Sequence, residues 1–263
     1  MRFSELKKAS LVGAFFVSVF FSLQAAALCS VSEPLSRVKV AAVIDGDTLR
    51  LVDGRSVRLI GLNATEMGRN GRSAEPFAEA ARNRLQSLVS VNDGYVAIRP
   101  GQQSKDHYGR VLAHAFDDHG ENLEALMLAE GLGFFVAIAP NLSLAECQRA
   151  AERQARSVGR GVWRRPPIIV AERVRRGGFA IVRARVERVD TNRGGVWLEL
   201  GGSLAVQIPR EAVAAFDGAL VGLAGKHIEV RGWIIDRKGR GDLSRRARWL
   251  LKISHPSMLA PLL

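Results

Sequence analysis

The sequence predicts a mainly β protein: a small β-barrel with three helices, followed by a second β-barrel. Three observations support this fold class. The first half alternates β-branched segments with segments of helical spacing, Arg-Arg-Pro-Pro at 164–167 interrupts both patterns, and the second half is mostly β in character. We therefore expect a first domain over 28–163, a linker over 164–170 and a second domain over 171–263.

Four apolar segments rich in β-branched residues predict the strands of the first domain: 38–51, 57–62, 95–99 and 111–116. Asp-Gly pairs at 45–46 and 53–54 predict tight turns, so the first segment is a strand, a turn and a second strand.

Three segments predict the helices of the first domain. One opens at Glu75-Pro76 and runs to residue 89 with apolar side chains at helical spacing, and another covers 122–130 with Gly131 as its C-cap. The third covers about 143–158 and is rich in Ala and Arg. Helices between and after strands are typical of a small barrel with helices.

Beyond the linker, five segments predict strands and one predicts a short helix. The strands are 179–189, 196–200, 204–208, 228–235 and 249–253, and the helix is 211–216. Five strands with one helix in the middle is the count of an OB-type barrel, a fold that serves many functions.

The first 27 residues are predicted to be a secretory signal peptide. Basic residues precede an apolar run over 9–23 and three alanines at 25–27. The run is too short for a lasting membrane anchor, so we expect an exported, periplasmic or secreted protein. A lipoprotein anchored at Cys29 is the alternative, although Leu28 stands where a small residue is expected.

Export changes what the two cysteines mean, because an oxidising compartment allows Cys29 and Cys147 to pair. A disulfide between them is worth roughly 4 to 5 kcal/mol by the chain-entropy argument, since it closes a long loop. Two unrelated thiols are the alternative.

The formal net charge of +12 lies mostly in the second half. Residues 168–263 contain 17 Lys and Arg against 9 Asp and Glu, a net charge of +8. A basic domain favours a polyanionic partner such as DNA or RNA, with solubility or anionic membranes as alternatives. The candidate phosphate track is Arg245, Arg246 and Arg248, against the alternative of a solvated charged face.

Three tryptophans of the second domain, Trp197, Trp233 and Trp249, have faces on which bases stack in single-strand binders. Because such residues are more often part of the core, we expect at least two of the three to be buried.

The turn at 45–48 gathers ligands for a hard cation. Asp45, Asp47 and Thr48 place two carboxylates and a hydroxyl at one bend, and calcium and magnesium prefer such oxygens. An ordinary Asp-Gly hairpin turn is the alternative. His107 and His114 are expected to face solvent, since the chain has few histidines and no helical pair of them.

Two further segments supply groups suited to phosphodiester cleavage. Residues 57–66 deliver Arg58, Asn63 and Glu66, and Arg110 stands where a polar loop enters a strand. Guanidinium groups and a metal stabilise charge that develops on phosphorus, and a carboxylate activates the attacking water. The alternatives are a strand arginine paired with a carboxylate and an ordinary exposed glutamate.

Three ordered motifs resemble the thermonuclease (staphylococcal nuclease-like) family: Asp45-Gly46-Asp47-Thr48, then VRLIGLNATE at 57–66, then DHYGR at 106–110. Gly-Leu at 131–132 and Gly-Val-Trp at 161–163 fit the rest of that domain. The resemblance covers about residues 37–163, and the C-terminal region is only OB-like. It implies an OB-type barrel with three helices and calcium-dependent endonucleolytic cleavage of DNA and RNA.

Carried over by position, the resemblance implies roles for individual residues. The implied metal ligands are Asp47, Asn63 and the main-chain carbonyl of Ala64, with Asp45 behind them. The implied phosphate-binding arginines are Arg58 and Arg110, the general base is Glu66, and Tyr108 contacts the nucleotide. We expect Ca²⁺ as the cofactor, with Mg²⁺ or Mn²⁺ as alternatives.

The chain departs from the family pattern at the metal. Asn63 stands where an aspartate is expected, and Thr65 stands where a proline is expected. Asparagine keeps a ligand oxygen but loses a negative charge, and ligand charge helps to set calcium affinity. Weaker metal binding, a different metal and lost activity are the alternatives. Val136 and Ile138 replace expected tyrosines.

These features predict an exported, monomeric, metal-dependent nuclease without a lasting membrane anchor, whose basic second domain holds DNA or RNA. The alternative from another class is a catalytically impaired nucleic-acid-binding protein that keeps the nuclease fold. A third possibility is a basic domain that recognises another anionic polymer or a protein.

Overall fold

The computed structural model of the chain describes residues 29–68, 71, 73–239 and 247–262. The predicted signal peptide (1–27) lies outside these residues, as do Arg245 and Arg246 of the predicted phosphate track. Within the described part of the chain, no helix is both long and apolar enough to cross a membrane.

The first domain contains a closed five-stranded barrel. The strands of the whole domain are β1 (Ser36–Asp45), β2 (Thr48–Leu51), β3 (Ser56–Leu59), β4 (Leu62–Asn63), β5 (Tyr95–Lys105), β6 (Val111–Phe116) and β7 (Phe134–Phe135). The barrel order is β1-β2-β3-β6-β5, with β5 also paired to β1 and with β3 parallel to β6. The short strands β4 and β7 pair with each other outside the barrel.

Three helices accompany this barrel, as the sequence predicts. They are α1 (Ala78–Val91), α2 (Leu123–Ala129) and α3 (Ala145–Ser157), and a short 3-10 helix follows at Gly161–Arg164. Helix α1 begins three residues later than predicted, because Phe77 has a left-handed backbone (φ 69°) that no α-helix continues through. Its buried face carries Ala81, Leu85 and Leu88.

A sharp turn at Gly61 ends the predicted strand 57–62 early. Gly61 has φ +90°, and a Cβ there would lie 1.8 Å from the Oε1 atom of Gln148. The side-chain amide of Gln148 in turn donates to the carbonyl of Ile60 at 3.1 Å. The turn therefore requires glycine, and it redirects the chain from the barrel into β4, where Asn63 lies.

The expectation that His114 faces solvent is wrong. The residue is 1% exposed, and its Nε2 atom lies 3.3 Å from the hydroxyl of Ser143. Its Nδ1 atom lies 3.5 Å from the buried carboxylate of Glu124. These partners satisfy the polar atoms of the buried imidazole ring. The sequence pattern of β6 does not reveal them.

The second domain contains a second closed barrel with the same strand order. The strands of the whole domain are β8 (Ile168–Val170), β9 (Gly178–Asn192), β10 (Gly195–Leu200), β11 (Leu204–Pro209), β12 (His227–Asp236), β13 (Trp249–Lys252) and β14 (Leu259–Pro261). The order β9-β10-β11-β13-β12 closes through β12 and β9, with β11 parallel to β13. The five-stranded OB-type count is thereby confirmed.

Short elements complete the second domain. Strand β8 lies within the segment predicted as a linker and pairs in parallel with β9, whereas β14 pairs with β12. The predicted helix at 211–216 is a 3-10 helix, Arg210–Phe216. Two further 3-10 turns lie at Ala171–Arg173 and Pro256–Met258.

Of the three tryptophans of this domain, only Trp249 is buried, so the expectation of at least two buried tryptophans is wrong. Trp233 is 38% exposed and packs edge-on against Phe179, with ring centroids 5.3 Å apart. Trp197 is partly exposed on β10, where Val196 and Leu198 take the inward positions. Strand alternation therefore turns Trp197 outward.

Buried charges join helix α3 to the second barrel. The Nη1 atom of Arg231 on β12 lies 2.7 Å from both carboxylate oxygens of Glu152, which is buried on α3. Beside this pair, Arg156 of α3 forms a two-pronged ion pair with Glu229 of β12 at 2.6 and 2.7 Å. Burial alone would raise the pKa of Glu229, but Arg156 and neighbouring arginines hold it below its usual value.

Aromatic rings continue this interface. The ring of Phe134 lies 5.5 Å from that of Trp163 and 5.4 Å from that of Phe179, which belongs to the second barrel. The guanidinium carbon of Arg156 lies 4.7 Å from the centre of the Trp163 ring. The two barrels therefore share an apolar contact reinforced by paired charges.

The predicted disulfide is present between Cys29 and Cys147, with a Cα–Cα distance of 5.6 Å and a sequence separation of 118 residues. It joins the start of the described chain to helix α3, the same helix that contacts the second barrel.

Candidate active site on the first barrel

The turn between β1 and β2 is fixed by close packing. A Cβ on Gly46 would lie 2.6 Å from the Cβ of Ala81 on α1 and 2.7 Å from the Cβ of Ala64. The turn is thus pressed against α1 and against the chain that follows β4. Within it, the backbone N–H of Asp47 donates to the carboxylate of Asp45 at 3.1 Å.

The buried carboxylate of Asp47 is held from three directions. Its Oδ1 atom accepts a hydrogen bond from the Thr48 hydroxyl at 3.0 Å. Its Oδ2 atom accepts from the backbone N–H of Ala64 at 2.8 Å and lies 3.0 Å from the Nη2 atom of Arg58. Residues from the first turn, from β3 and from the loop after β4 therefore meet at one carboxylate.

Both terminal amino groups of Arg58 have partners within the protein. Nη1 donates to the carbonyls of Leu59 and Leu62 at 2.7 Å each. Nη2 donates to the side-chain oxygen of Asn63 at 3.3 Å and forms an ion pair with Asp47 at 3.0 Å. A phosphate that approached these amino groups would therefore compete with contacts inside the protein.

Burial raises the pKa of the Asp47 carboxyl to about 7. Arg58 opposes this shift, whereas the neighbouring charge of Asp45 adds to it. A carboxylate held in this way is stabilised by a further positive charge, and it loses affinity for one when it is protonated.

The oxygen atoms around Asp47 suit a hard divalent cation. Asp47 and Asn63 both bond the same nitrogen of Arg58, so their oxygens lie close together. Asp45 adds a second carboxylate at the same turn. In the described part of the chain no three His, Cys, Asp or Glu residues form a metal cluster. Asn63 offers an amide oxygen, which lacks the negative charge that a carboxylate would add. These oxygen donors therefore fit calcium or magnesium, although the ligands carry less negative charge than a set in which residue 63 is an aspartate.

Glu66 lies in the exposed loop after β4, three residues beyond Asn63. Its backbone N–H donates to the carboxylate of Glu75 at 3.0 Å, and the backbone N–H of Glu75 donates back to the carbonyl of Glu66 at 3.0 Å. This reciprocal pair fixes the backbone of Glu66 in the loop that follows Asn63, and the residue is exposed to solvent.

Arg110 immediately precedes strand β6, which pairs in parallel with β3, the strand that carries Arg58. Arg58 is aligned with Leu112, so Arg110 lies two residues before the position level with Arg58. The Nε atom of Arg110 bonds Asp106 at 2.7 Å. Neither terminal amino group of Arg110 has a hydrogen-bond partner in the described part of the chain.

Asp106 is a positioning residue that the sequence reasoning did not single out. It accepts from both the backbone and the side chain of Arg110, at 2.9 and 2.7 Å. Burial alone would raise the pKa of Asp106, but the hydrogen bonds from Arg110 hold it below its usual value. The signal was available, because an acid four residues before an arginine in a tight turn favours such a pair.

The remaining predicted residues that the structure describes do not contact the cluster around Asp47. Tyr108 is 74% exposed, and the guanidinium carbon of Arg110 lies 5.5 Å from its ring centre. Arg248, on the second barrel, is held by Asp236 through bonds of 3.0 and 2.8 Å. Thr65 has a buried hydroxyl with no hydrogen-bond partner among the described residues, a feature that no local sequence pattern predicts.

An OB-type barrel that joins a buried carboxylate to an arginine and an amide oxygen, with a second arginine directly before the adjoining strand, defines a class of site suited to phosphate chemistry. Residues 56–165 match the family described as "Staphylococcal nuclease homologue". The chain is 30% identical over 130 residues to the thermonuclease of Staphylococcus intermedius, covering 48% of this chain and 75% of that protein. The chain therefore belongs to the staphylococcal nuclease family.

Two other relatives are each similar to less than half of the chain. The "Probable endonuclease LCL3" of Clavispora lusitaniae is 35% identical over 113 residues, covering 41% of this chain and 47% of that protein. Endonuclease YhcR of Bacillus subtilis is 24% identical over 135 residues, covering 47% of this chain and 11% of that protein. The second barrel lies beyond the residues matched to the family.

Proposed function

We propose that the protein is a metal-dependent nuclease that hydrolyses phosphodiester bonds of DNA or RNA after export. The observation that carries this proposal is the cluster of Asp47, Arg58, Asn63 and the Ala64 backbone, with Arg110 directly before the adjoining strand β6. The family and its named endonuclease relatives agree with it.

Each residue has a defined part in this proposal. Asp47, Asn63 and the Ala64 carbonyl would hold a divalent cation, calcium by family resemblance, which when bound supplies a Lewis acid for the phosphate. Arg110 binds the phosphate with its open terminal amino groups and stabilises charge in the transition state. Glu66 accepts a proton from the attacking water. Arg58 positions Asp47 and Asn63.

A nucleic-acid-binding protein with impaired catalysis is the second candidate. Asn63 favours it, because the amide lowers the negative charge available to a cation. The net charge of +8 on residues 168–263 favours binding through the phosphate backbone in either case.

Plasmid cleavage separates the two candidates. The full mature chain is incubated with plasmid and Ca²⁺, Mg²⁺ or Mn²⁺, beside a Glu66→Gln variant and a Glu79→Gln control from the exposed start of α1. A nuclease nicks the plasmid, loses this activity in Glu66→Gln and keeps it in Glu79→Gln. Intact plasmid with every metal, together with retarded DNA migration, would establish the binding protein instead.

Cation affinity is expected to depend on pH through Asp47. Because its carboxyl has a raised pKa of about 7, protons compete with the cation below that pH. The apparent affinity should fall up to about tenfold per pH unit below 7 and level off above it. Calorimetric titration with Ca²⁺ between about pH 5.5 and 8.5 measures this, and a flat profile would contradict the assignment of Asp47 as a ligand.

A further inference from the structure

A second concave site lies on the outer face of the second barrel, outside the residues matched to the family. It is a cavity of about 430 Å³. Its walls include Asp190 and Asn192 of β9, Trp197 and Glu199 of β10, and Arg237 just after β12. Its volume falls in the range of pockets that bind small ligands.

The register of the sheet brings these walls together. Trp197 pairs with Asp190 across β9 and β10, and Glu199 pairs with Ala205 across β10 and β11. Side chains two positions apart share a face, so Trp197 and Glu199 both project outward while Leu198 between them is buried. The site is therefore built on three paired strands and needs no rearrangement to form.

Trp197 is held in one orientation. Its indole N–H donates to the side-chain oxygen of Asn192 at 3.1 Å. The same oxygen accepts from the backbone N–H of Gly194 at 2.8 Å, which fixes the turn between β9 and β10. The edge of the ring is thus satisfied, and its face is the part available to a ligand in the cavity.

Two carboxylates beside the Trp197 ring share one arginine and still offer oxygen atoms as hydrogen-bond acceptors. Arg188 lies 3.0 Å from an oxygen of Asp190 and 2.7 Å from an oxygen of Glu199. Each carboxylate keeps its other oxygen as an acceptor. A phosphate would meet these carboxylates with repulsion, whereas a planar ring with amino or imino N–H groups would stack on Trp197 and donate to them.

We infer that this cavity binds one base of a single-stranded nucleic acid, stacked on Trp197, while the phosphates lie outside against the basic surface of the domain. A neutral sugar is the alternative ligand, because it too can pack against Trp197 and donate O–H groups. The net charge of +8 on residues 168–263 favours a nucleic acid. The inference rests on the proposed function for the identity of the ligand and adds that the substrate is held as a single strand.

Fluorescence anisotropy with a labelled single-stranded oligonucleotide tests this inference, with the full mature chain and EDTA present to prevent hydrolysis. Trp197→Ala should weaken binding by roughly 5- to 150-fold, the range for one stacked base, and Trp197→Phe should retain most of it. Trp233→Ala, which changes an exposed tryptophan against Phe179 on the same barrel, is the matched control and should change affinity little.

Several results would overturn the inference. These are equal affinity of Trp197→Ala and the parent protein with unchanged circular dichroism, equal loss in Trp233→Ala, or displacement of the oligonucleotide by a neutral oligosaccharide. If Trp197→Ala fails to fold, Trp197→Phe together with Glu199→Gln replaces it, and unchanged affinity in Glu199→Gln counts against the site. Plasmid cleavage is scored separately, so the proposed function can fail while oligonucleotide binding still depends on Trp197.

Discussion

Replacing Arg110 by alanine is expected to lower turnover on DNA about a hundredfold or more, while the loss of its partly exposed ion pair with Asp106 lowers stability by only about 1 kcal/mol. The terminal amino groups of Arg110 have no hydrogen-bond partner among the described residues, and its Nε atom is fixed by Asp106 at 2.7 Å. A preorganised donor of this kind acts on the transition state, where the loss of one donor costs about a hundredfold or more. Steady-state cleavage rates and thermal unfolding measure the two effects.

Two comparisons make this result informative. Arg50→Ala removes an exposed arginine from β2 of the same barrel and should leave turnover within a few-fold of the parent protein. Arg58→Lys should lower both turnover and thermal stability, because Arg58 fastens Asp47, Asn63 and two backbone carbonyls. If Arg110→Ala cleaves at the parent rate, Arg110 has no part in the chemistry.

Replacing Arg231 by methionine is expected to destabilise the protein by about 3 to 5 kcal/mol, because it leaves the buried carboxylate of Glu152 without its cation. A second substitution, Glu152→Leu, should restore most of the loss, since two apolar side chains remove the unpaired charge. Chemical denaturation of the parent protein, both single variants and the double variant measures the coupling.

An exposed ion pair provides the control for this cycle. Arg37 lies 3.0 Å from Asp118, and both side chains are nearly half exposed. Arg37→Met should therefore change the free energy of unfolding by about 1 kcal/mol or less. Losses of similar size in Arg37→Met and Arg231→Met would show that the buried pair has no special weight.

Local chemistry explains which parts of the fold were predictable. Alternation of β-branched residues located every barrel strand, and the Asp-Gly turn placed Asp45 and Asp47 at one bend. The cysteine pairing followed from the expectation of export and is present in the structure. These signals depend on neighbouring residues in the sequence, so the features can be predicted without knowledge of the three-dimensional contacts.

The features that were missed depend on contacts between distant residues. The early break at Gly61 is required by Gln148, and the burial of His114 is made possible by Glu124 and Ser143. No local pattern marks such pairs. Likewise, the arginines of the site look alike in sequence, whereas the structure distinguishes one whose donors are engaged from one whose terminal donors are open.

The shared contact between the barrels determines how the protein can be divided. A polypeptide that stops at residue 165, where the family match ends, would uncover the ring of Phe134 and strip Glu152 of Arg231. An apolar patch beside an unneutralised carboxylate favours self-association over solubility. We therefore expect the half that carries the family motifs to be less soluble on its own than as part of the full chain.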